Sequence, residues 1–362
     1  MNDPNALLRV PDLWFPDATL VFQAENTQYR VYAGLLAARS SVFADMLAFP
    51  QPVDSDDETV DGCPCIVLPD KAEDVTCFFR AIFDSSFFVP PFTTALSFAT
   101  LSAILRLSQK YDVEYLRQRC LSHLSAIYPT TLEDWDACGY AEHILGLGSR
   151  MSPPIGTFPI LPTLELAAEA EAPWLVPALM YLGLCAGMEG ILDGIALECS
   201  PVVSAREATD NEQPHLGRDA KTHFDEGKEP PATPPTAVSA SQRALLRAFP
   251  ALLSSTSTAV SFLLSPRPSG CTSPAACTSE LVSLRCWVDA SWSACHFPLE
   301  IWEEQDWDAV RGDVCDVCIA QGRKLHREAR QRFWNGLPKM LGLELTWTEL
   351  RRLQENALRV EM

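Results

Sequence analysis

The first third of the chain alternates between two hydrophobic patterns, one with a period of two residues and one with spacings of three and four. The period of two predicts short strands near Val21 and Val31, joined by a polar turn, and a third strand at Cys65–Leu68. The spacing of three and four predicts an amphipathic helix, because it places every apolar member on one face. The members of that face are Val75, Phe78, Phe79 and Ile82.

Further helices are predicted on both sides of that one. Leu35 and Leu36 indicate a short helix after the hairpin, and the Ser40-Ser41 pair is placed to cap the helix that follows it. A later stripe should be buried against the core, since its members repeat at three and four: Val113, Leu116, Cys120, Leu124 and Ile127. His123 lies off this stripe, so we expect it to face solvent.

These residues resemble a BTB/POZ domain, in particular the expanded BTB family of mushroom-forming fungi. The positions that match the family pattern are Asp17, Leu20, Tyr29, Val31, Leu36, Ala37, Ser40, Phe43 and Met46. Leu101–Leu124 resembles the closing helical hairpin of the family, whereas Tyr32 and Ala33 replace its usual His-Lys pair. The resemblance covers residues 14–128 and leaves residues 1–13 as an N-terminal tail.

Beyond this module the chain changes character three times. Residues 129–200 have a helical pattern and resemble the BACK-type extension that often follows a BTB domain. Residues 201–242 contain six prolines and few aromatic residues, which predicts a disordered linker. Residues 243–362 hold six of the nine tryptophans and six of the thirteen cysteines, which predicts a small Trp/Cys-rich C-terminal subdomain. The predicted fold class of the whole chain is α+β.

Cysteine spacing predicts a metal centre in the C-terminal region. Cys315 and Cys318 form a C-x-x-C that opens a helix, and two thiolates on such a turn can share one tetrahedral ion. Cys271 and Cys277 are the candidate second half. Because the fungal BTB proteins that this chain resembles often carry such a pair and a C-x-x-C before the final helix, the resemblance implies a structural zinc site. The competing interpretation is that all four are ordinary buried or surface thiols.

Other cysteines and histidines are weaker candidates. The rival ligands are Cys286, Cys295, His296 and His326. Cys63 and Cys65 lie beside an acidic loop without a nearby histidine and are interpreted as structural. A redox role for the C-x-x-C is disfavoured, because no thioredoxin-like strand precedes it.

The helix that follows this motif is predicted to bury Leu325, Ala329 and Phe333 as one stripe. Its basic residues, among them Arg330, are placed mostly on the other faces, and Pro338 is expected to end the helix.

Composition restricts the partners and the compartment. A formal net charge of −19 argues against nucleic-acid binding, which needs clustered Lys and Arg. The apolar stretch Trp174–Met188 is shorter than the roughly twenty residues of a membrane-spanning helix, so we interpret it as a buried helix. The N-terminal residues lack a secretory pattern, which favours a cytoplasmic or nuclear location.

The resemblance implies a protein–protein interaction adaptor. Many BTB proteins bind a cullin scaffold while another domain captures the substrate of a ubiquitin ligase. The residues expected to meet a cullin or another protein partner are Asp17, Phe43, Met46, Phe49, Tyr111 and Tyr115. A nuclear regulator that self-associates through its BTB domain without a ligase is the alternative. Self-association by a swapped N-terminal strand should be weak, because Pro4, Pro11 and Pro16 interrupt that segment.

Motifs of catalysis do not favour an enzyme. The chain carries no H-E-x-x-H, G-x-S-x-G or phosphate-binding glycine loop. An enzyme hidden in the C-terminal region is therefore kept only as a third hypothesis.

Overall fold

The computed structural model combines a small β-sheet with many helices and confirms the mixed α and β character predicted from the sequence. It describes residues 7–48, 59–89, 96–138, 158–193, 238–292, 298–302, 304–308 and 310–359. Most of the predicted linker, residues 201–237, lies outside the described residues.

The sheet belongs to the first third of the chain. Its strands are β1 (Leu8–Trp14), β2 (Leu20–Ala24), β3 (Thr27–Val31), β4 (Thr59–Val60) and β5 (Cys63–Leu68). Their order across the sheet is β1-β3-β2-β5-β4. Strands β2 and β3 form the predicted antiparallel hairpin, with Phe22 opposite Tyr29, and β5 pairs in parallel with β2. The alternation of apolar residues therefore predicted the hairpin correctly.

Helices pack beside this sheet in the order that the spacing predicts. They are α1 (Ala33–Arg39), α2 (Ser41–Ala48), α3 (Ala72–Phe83), α4 (Phe98–Lys110) and α5 (Glu114–Ile127). The Ser40 hydroxyl oxygen accepts a hydrogen bond from the backbone N–H of Phe43 at 2.9 Å, which confirms the predicted cap of α2. Sheet and helices meet at an aromatic cluster in which the Phe22 ring lies 5.5 Å from both Phe43 and Phe79.

Two polar contacts fix helix α3 to the hairpin. Glu25 occupies the hairpin turn with a φ of 51°, and its carboxylate accepts a hydrogen bond of 3.0 Å from the backbone N–H of Ala72. A negative charge is favourable at that helix N-terminus. The buried hydroxyl of Tyr29 donates to the carbonyl of Ala72 at 2.7 Å, so its polar atom is satisfied inside the core.

The remainder of the described chain is helical. Its helices are α6 (Leu132–Ala137), α7 (Ile160–Glu169), α8 (Val176–Cys185), α9 (Gly187–Asp193), α10 (Ala240–Ala259), α11 (Pro274–Trp292), α12 (Glu304–Asp308), α13 (Asp316–Met340) and α14 (Trp347–Leu358). Short 3₁₀ turns lie at Pro173–Leu175 and Ser261–Leu264. Helix α8 carries the apolar stretch, and among the described residues no helix has both the length and the apolar character needed to cross a bilayer.

Two hydrophobic cores divide the C-terminal half. The larger core continues from the sheet through Trp174 and Tyr181 to Trp334 and Trp347. The members of the second core are Val260, Phe262, Leu263, Cys277, Leu281, Val288, Trp307, Val310, Val314, Cys318 and Ile319. Helix α13 contributes to both cores. Residues 243–362 therefore contribute to both cores.

Pro338 lies inside helix α13 instead of ending it. Proline has no N–H to donate to the carbonyl four residues earlier, which belongs to Trp334. The indole N–H of Trp347 donates to that carbonyl instead, at 2.6 Å. The helix continues to Met340 and is followed by Gly342, whose φ of 80° suits a helix C-terminus.

Two predicted boundaries, that of the N-terminal tail and that at the end of the linker, differ from those in the structure. Residues 8–13 belong to strand β1, which pairs in parallel with β3, and not to a tail. Pro11 falls where the register is irregular, between Arg9 and Trp14, and an edge strand tolerates proline there. At the other boundary, helix α10 already begins at Ala240, capped by Ser239, so the predicted linker extends too far.

Two polar residues are buried, although His123 was predicted to face solvent and Arg330 to lie away from the apolar stripe of its helix. The ring of His123 stacks on Phe88 at 5.0 Å, and its Nε2 lies 2.9 Å from the carbonyl oxygen of Val89, because the segment that precedes α4 covers it. Arg330 on α13 forms an ion pair with Asp136 of α6, and its Nε donates to the carbonyl of Leu299 at 3.0 Å. A buried guanidinium needs such partners, and here they come from distant segments.

Candidate metal centre

The four predicted cysteines come from three separate places in the chain. Cys271 lies in the irregular segment before α11, and Cys277 lies in the first turns of that helix. Cys315 is the N-cap of α13, and Cys318 follows in its first turn. Because the N-cap and the third helical residue both project toward the start of a helix, the C-x-x-C presents its two sulfur atoms on one side.

The sulfur atoms form a compact group. All four lie within 4.8 Å of one another, and the Sγ atoms of Cys271 and Cys315 are 3.7 Å apart. A tetrahedral ion with metal–sulfur bonds of about 2.3 Å requires sulfur–sulfur distances of about 3.8 Å. The four cysteines could therefore hold one metal ion, as the spacing predicted.

Backbone N–H groups favour a negative charge on the thiol of Cys315. Hydrogen bonds from the backbone of Cys318 and Thr272 lower the pKa of Cys315 to about 6. Cys318 behaves in the opposite way, since burial, together with the neighbouring thiols, raises its pKa to about 12. The backbone N–H of Cys315 also donates to the Sγ of Cys277 at 3.3 Å. A bound cation would supply the charge that lets the buried thiol ionise as well.

Burial divides the group into an outer and an inner pair. The outer pair, Cys271 and Cys315, is partly exposed. The inner pair is buried in the second core, where Cys277 is 0% and Cys318 2% exposed. The centre thus lies at the edge of that core, and it joins the start of α13 to α11.

The two rival ligands that the structure describes, Cys286 and His326, do not belong to this group. Cys286 is exposed on α11, and His326 is buried against Phe262 and Trp302, with ring centroids 5.5 Å from each. Cys63 points its thiol toward the carbonyl oxygen of Ala18 at 3.7 Å. Cys295 and His296 lie outside the described residues. Within the part of the chain that the structure describes, no second cluster of three potential ligands is found.

The residues predicted to meet a protein partner are divided between surface and core. Asp17 is exposed and accepts a hydrogen bond of 2.7 Å from the hydroxyl of Tyr32. Met46 and Tyr115 are half-buried. Phe49 lies outside the described residues.

The burial of Phe43 and Tyr111 shows that these two residues were wrongly predicted to meet a protein partner. Phe43 is 0% and Tyr111 3% exposed, and their rings stack at 4.6 Å. Aromatic rings at these positions support the core between α2 and α4, so neither offers a surface to a partner.

Sequence patterns missed other residues of the same region. The guanidinium of Arg39 lies over the ring of Tyr115 at 5.2 Å, and the hydroxyl of Ser41 donates to the carboxylate of Asp112. These contacts bring the α1–α2 corner against the α4–α5 corner. The basic residue at the end of α1 was the available signal, because cations are common in the last helical turn.

Comparisons with known proteins leave the chain without an assigned relative. No family model, no curated protein and no solved structure matches it.

Proposed function

We propose that this chain is a protein-interaction adaptor of the BTB/POZ type whose C-terminal half is stabilised by a structural zinc ion. The observation that carries the zinc part is the four-sulfur group, in which Cys271 and Cys315 lie 3.7 Å apart. The observation that carries the adaptor part is the order of the hairpin, α1, α2, β5, α3 and the α4–α5 pair.

The donor set favours zinc in a structural role. Four thiolates are soft ligands, which select zinc or iron over the oxygen-preferring calcium and magnesium. They also fill a tetrahedral shell and leave no position for water or substrate, as is typical of structural zinc sites. Elemental analysis of the purified protein tests this point. One zinc per chain is expected, whereas iron, or no metal, would contradict it.

The adaptor surface that we propose is the interaction corner, formed by Arg39, Met46, Asp112 and Tyr115. The Arg39–Tyr115 contact joins its two halves. It combines a half-buried aromatic ring and a methionine with an exposed arginine, and these residue types are enriched at protein interfaces. The proposed partner is the N-terminal part of a cullin, and the C-terminal half would capture the substrate for ubiquitin transfer.

Titration of the full chain with a purified cullin N-terminal region tests the adaptor. Arg39→Glu should weaken binding by roughly tenfold, because it reverses an exposed charge at the centre of the corner without touching the core. Lys324→Glu is the matched control, since Lys324 is exposed on α13, and it should leave the affinity unchanged.

Two results would contradict the proposed ligase role. One is that the wild-type chain does not bind the cullin, and the other is that both variants bind with equal affinity. A tight dimer in sedimentation, combined with absent cullin binding, would favour the alternative of a self-associating nuclear regulator.

A further inference from the structure

We propose that the outer pair of the metal centre, Cys271 and Cys315, is an oxidation site: hydrogen peroxide joins these two sulfurs in a disulfide and thereby releases the metal. The proposal rests on the metal centre proposed above and adds a regulated, covalent state to it. Three features of the cysteines select this pair over the other pairs.

Accessibility is the first feature. A peroxide molecule must reach a sulfur atom to oxidise it, and reactivity follows exposure. Cys271 and Cys315 are partly exposed, whereas the sulfurs of the inner pair, Cys277 and Cys318, are enclosed by the second core. Attack from solvent is therefore directed to the outer pair.

Backbone position is the second feature. Cys271 belongs to neither a helix nor a strand, and Cys315 is an N-cap with extended backbone dihedrals, whereas Cys277 and Cys318 lie within helices. A disulfide needs a sulfur–sulfur distance of about 2.05 Å, so the outer sulfurs must approach from 3.7 Å. The segment that carries Cys271 can move toward Cys315 without breaking helical hydrogen bonds.

Direct contact is the third feature. The outer sulfurs lie 3.7 Å apart, and the Sγ of Cys315 donates a hydrogen bond to the Sγ of Cys271.

The chemistry balances with peroxide as the two-electron oxidant. The Sγ of Cys315 attacks one peroxide oxygen, the O–O bond breaks, and hydroxide leaves, so that a sulfenic acid forms. The Sγ of Cys271 then attacks this sulfur and displaces the second hydroxide, which forms the S–S bond. Two thiolates are oxidised, peroxide is reduced, and two protons from solvent convert the hydroxides to water. Two thiolates remain for the metal, which is too few to hold it.

The test uses the full-length, zinc-loaded protein with its zinc content measured beforehand. Peroxide is added, released zinc is followed with a chromogenic chelator, and unreacted thiols are alkylated before peptide mapping. We expect zinc release to coincide with a disulfide between the peptides of Cys271 and Cys315. Reductant together with zinc should restore the starting state.

Two variants sharpen the result. Cys271→His keeps a ligand for zinc, since three cysteines and one histidine also form structural sites, but it cannot form the disulfide. Its zinc content is measured first, and the zinc that it holds should be released severalfold more slowly under peroxide than zinc from the wild type. Cys286→Ser removes the exposed thiol of α11 and should release zinc at the wild-type rate.

Several outcomes would overturn the inference while leaving the zinc site intact. They are zinc retained under peroxide concentrations that oxidise Cys286, release with a disulfide between a different pair, and release from Cys271→His at the wild-type rate. Absence of metal from the untreated protein is a different failure, because it removes the proposed metal centre and this site with it.

Discussion

The indole N–H of Trp347 donates a 2.6 Å hydrogen bond to the backbone carbonyl of Trp334, and the two rings stack with centroids 4.8 Å apart and 3° between their planes. The carbonyl is the one that Pro338 leaves without a helical donor. A side chain from helix α14 therefore completes the hydrogen bonding of helix α13. The same contact fixes α14 against the larger core.

Replacing Trp347 by Phe should show how much the hydrogen bond to the Trp334 carbonyl contributes to stability. Stacking is largely kept, but the Trp334 carbonyl loses its donor inside the core, which should cost about 1–3 kcal/mol of unfolding free energy. Adding Pro338→Ala supplies a backbone N–H to the same carbonyl and should recover part of the loss. Urea unfolding of the wild type, both single variants and the double variant measures the coupling. Strictly additive effects would show that the two donors do not share one acceptor.

Phe43→Asp should unfold the sheet module, which is the sheet with the helices α1–α5 that pack beside it (residues 8–127), or bring it close to unfolding. The substitution places a charge where Phe43 is 0% exposed and stacks on Tyr111. An unpaired buried charge costs several kcal/mol, which is comparable with the stability of a whole domain. Thermal unfolding followed by circular dichroism measures the loss. Asp45→Asn, on the exposed side of the same helix, is the control and should melt like the wild type.

Removal of the metal should loosen the second core and leave the larger one folded. Trp302 and Trp307 pack around the second core, whereas Trp334 and Trp347 lie in the larger core. Of these four tryptophans, Trp302 and Trp307 should therefore change their fluorescence on chelation, and Trp334 and Trp347 should not. The variant Trp302→Phe/Trp307→Phe should lose the part of the change that comes from these two residues. A full-size change in that variant would mean that Trp302 and Trp307 do not respond to the metal.

Cysteine variants should separate the metal site from ordinary core packing. Cys315→Ser should abolish stoichiometric zinc, because it leaves three thiolates, whereas Cys63→Ser should retain one zinc per chain. Elemental analysis measures both. Equal zinc content in the two variants would contradict the assigned ligands.

Acid should destabilise the second core through His326. Burial lowers the pKa of His326 to about 4 from its ordinary value of 6.5, with a smaller effect from Arg330 and Arg327 and an opposing hydrogen bond to the backbone of Glu300. Between pH 4 and pH 6.5, His326 is therefore protonated in the unfolded chain and neutral in the folded chain. The contribution of neutral His326 to the unfolding free energy is fully present above pH 6.5. It is lost as the pH falls toward 4, by roughly 3 kcal/mol over that window.

Equilibrium unfolding between pH 4 and pH 7 tests this dependence. His326→Phe keeps an aromatic ring among Phe262, Trp302 and Trp307 and removes the titrating group. The stability difference between wild type and variant should change with pH across the window. Parallel stability curves would show that His326 does not contribute, even where protonation of the metal ligands destabilises both proteins.

Local patterns predicted much of the fold because the responsible forces act over a few residues. The buried face of α3, with Val75, Phe78 and Phe79, followed from helical spacing. The cap at Ser40 followed from residue type. The C-x-x-C half of the four-cysteine group was predictable for the same reason, since Cys315 begins a helix, whereas its pairing with Cys271 and Cys277 rested on resemblance.

Long-range partners explain what the sequence could not reveal. His123 is buried by Phe88 and Val89, which reach it across a turn of irregular chain. Arg330 is buried because Asp136, far away in sequence, supplies the opposite charge. The spacing of hydrophobic residues around His123 and Arg330 gives no indication of such a partner. The prediction that Pro338 ends its helix was wrong for a related reason, because the donor that compensates for the missing N–H, Trp347, lies on another helix.

Helix α13 carries two of the four clustered cysteines at its start and the Trp334 stack near its last turn. A recombination point or an insertion within residues 316–340 would therefore disturb both cores at once. The C-terminal half should consequently be inherited together with the sheet module as one unit. Among related genes we expect insertions and deletions to accumulate in the connecting segments, and the length of this helix to stay constant.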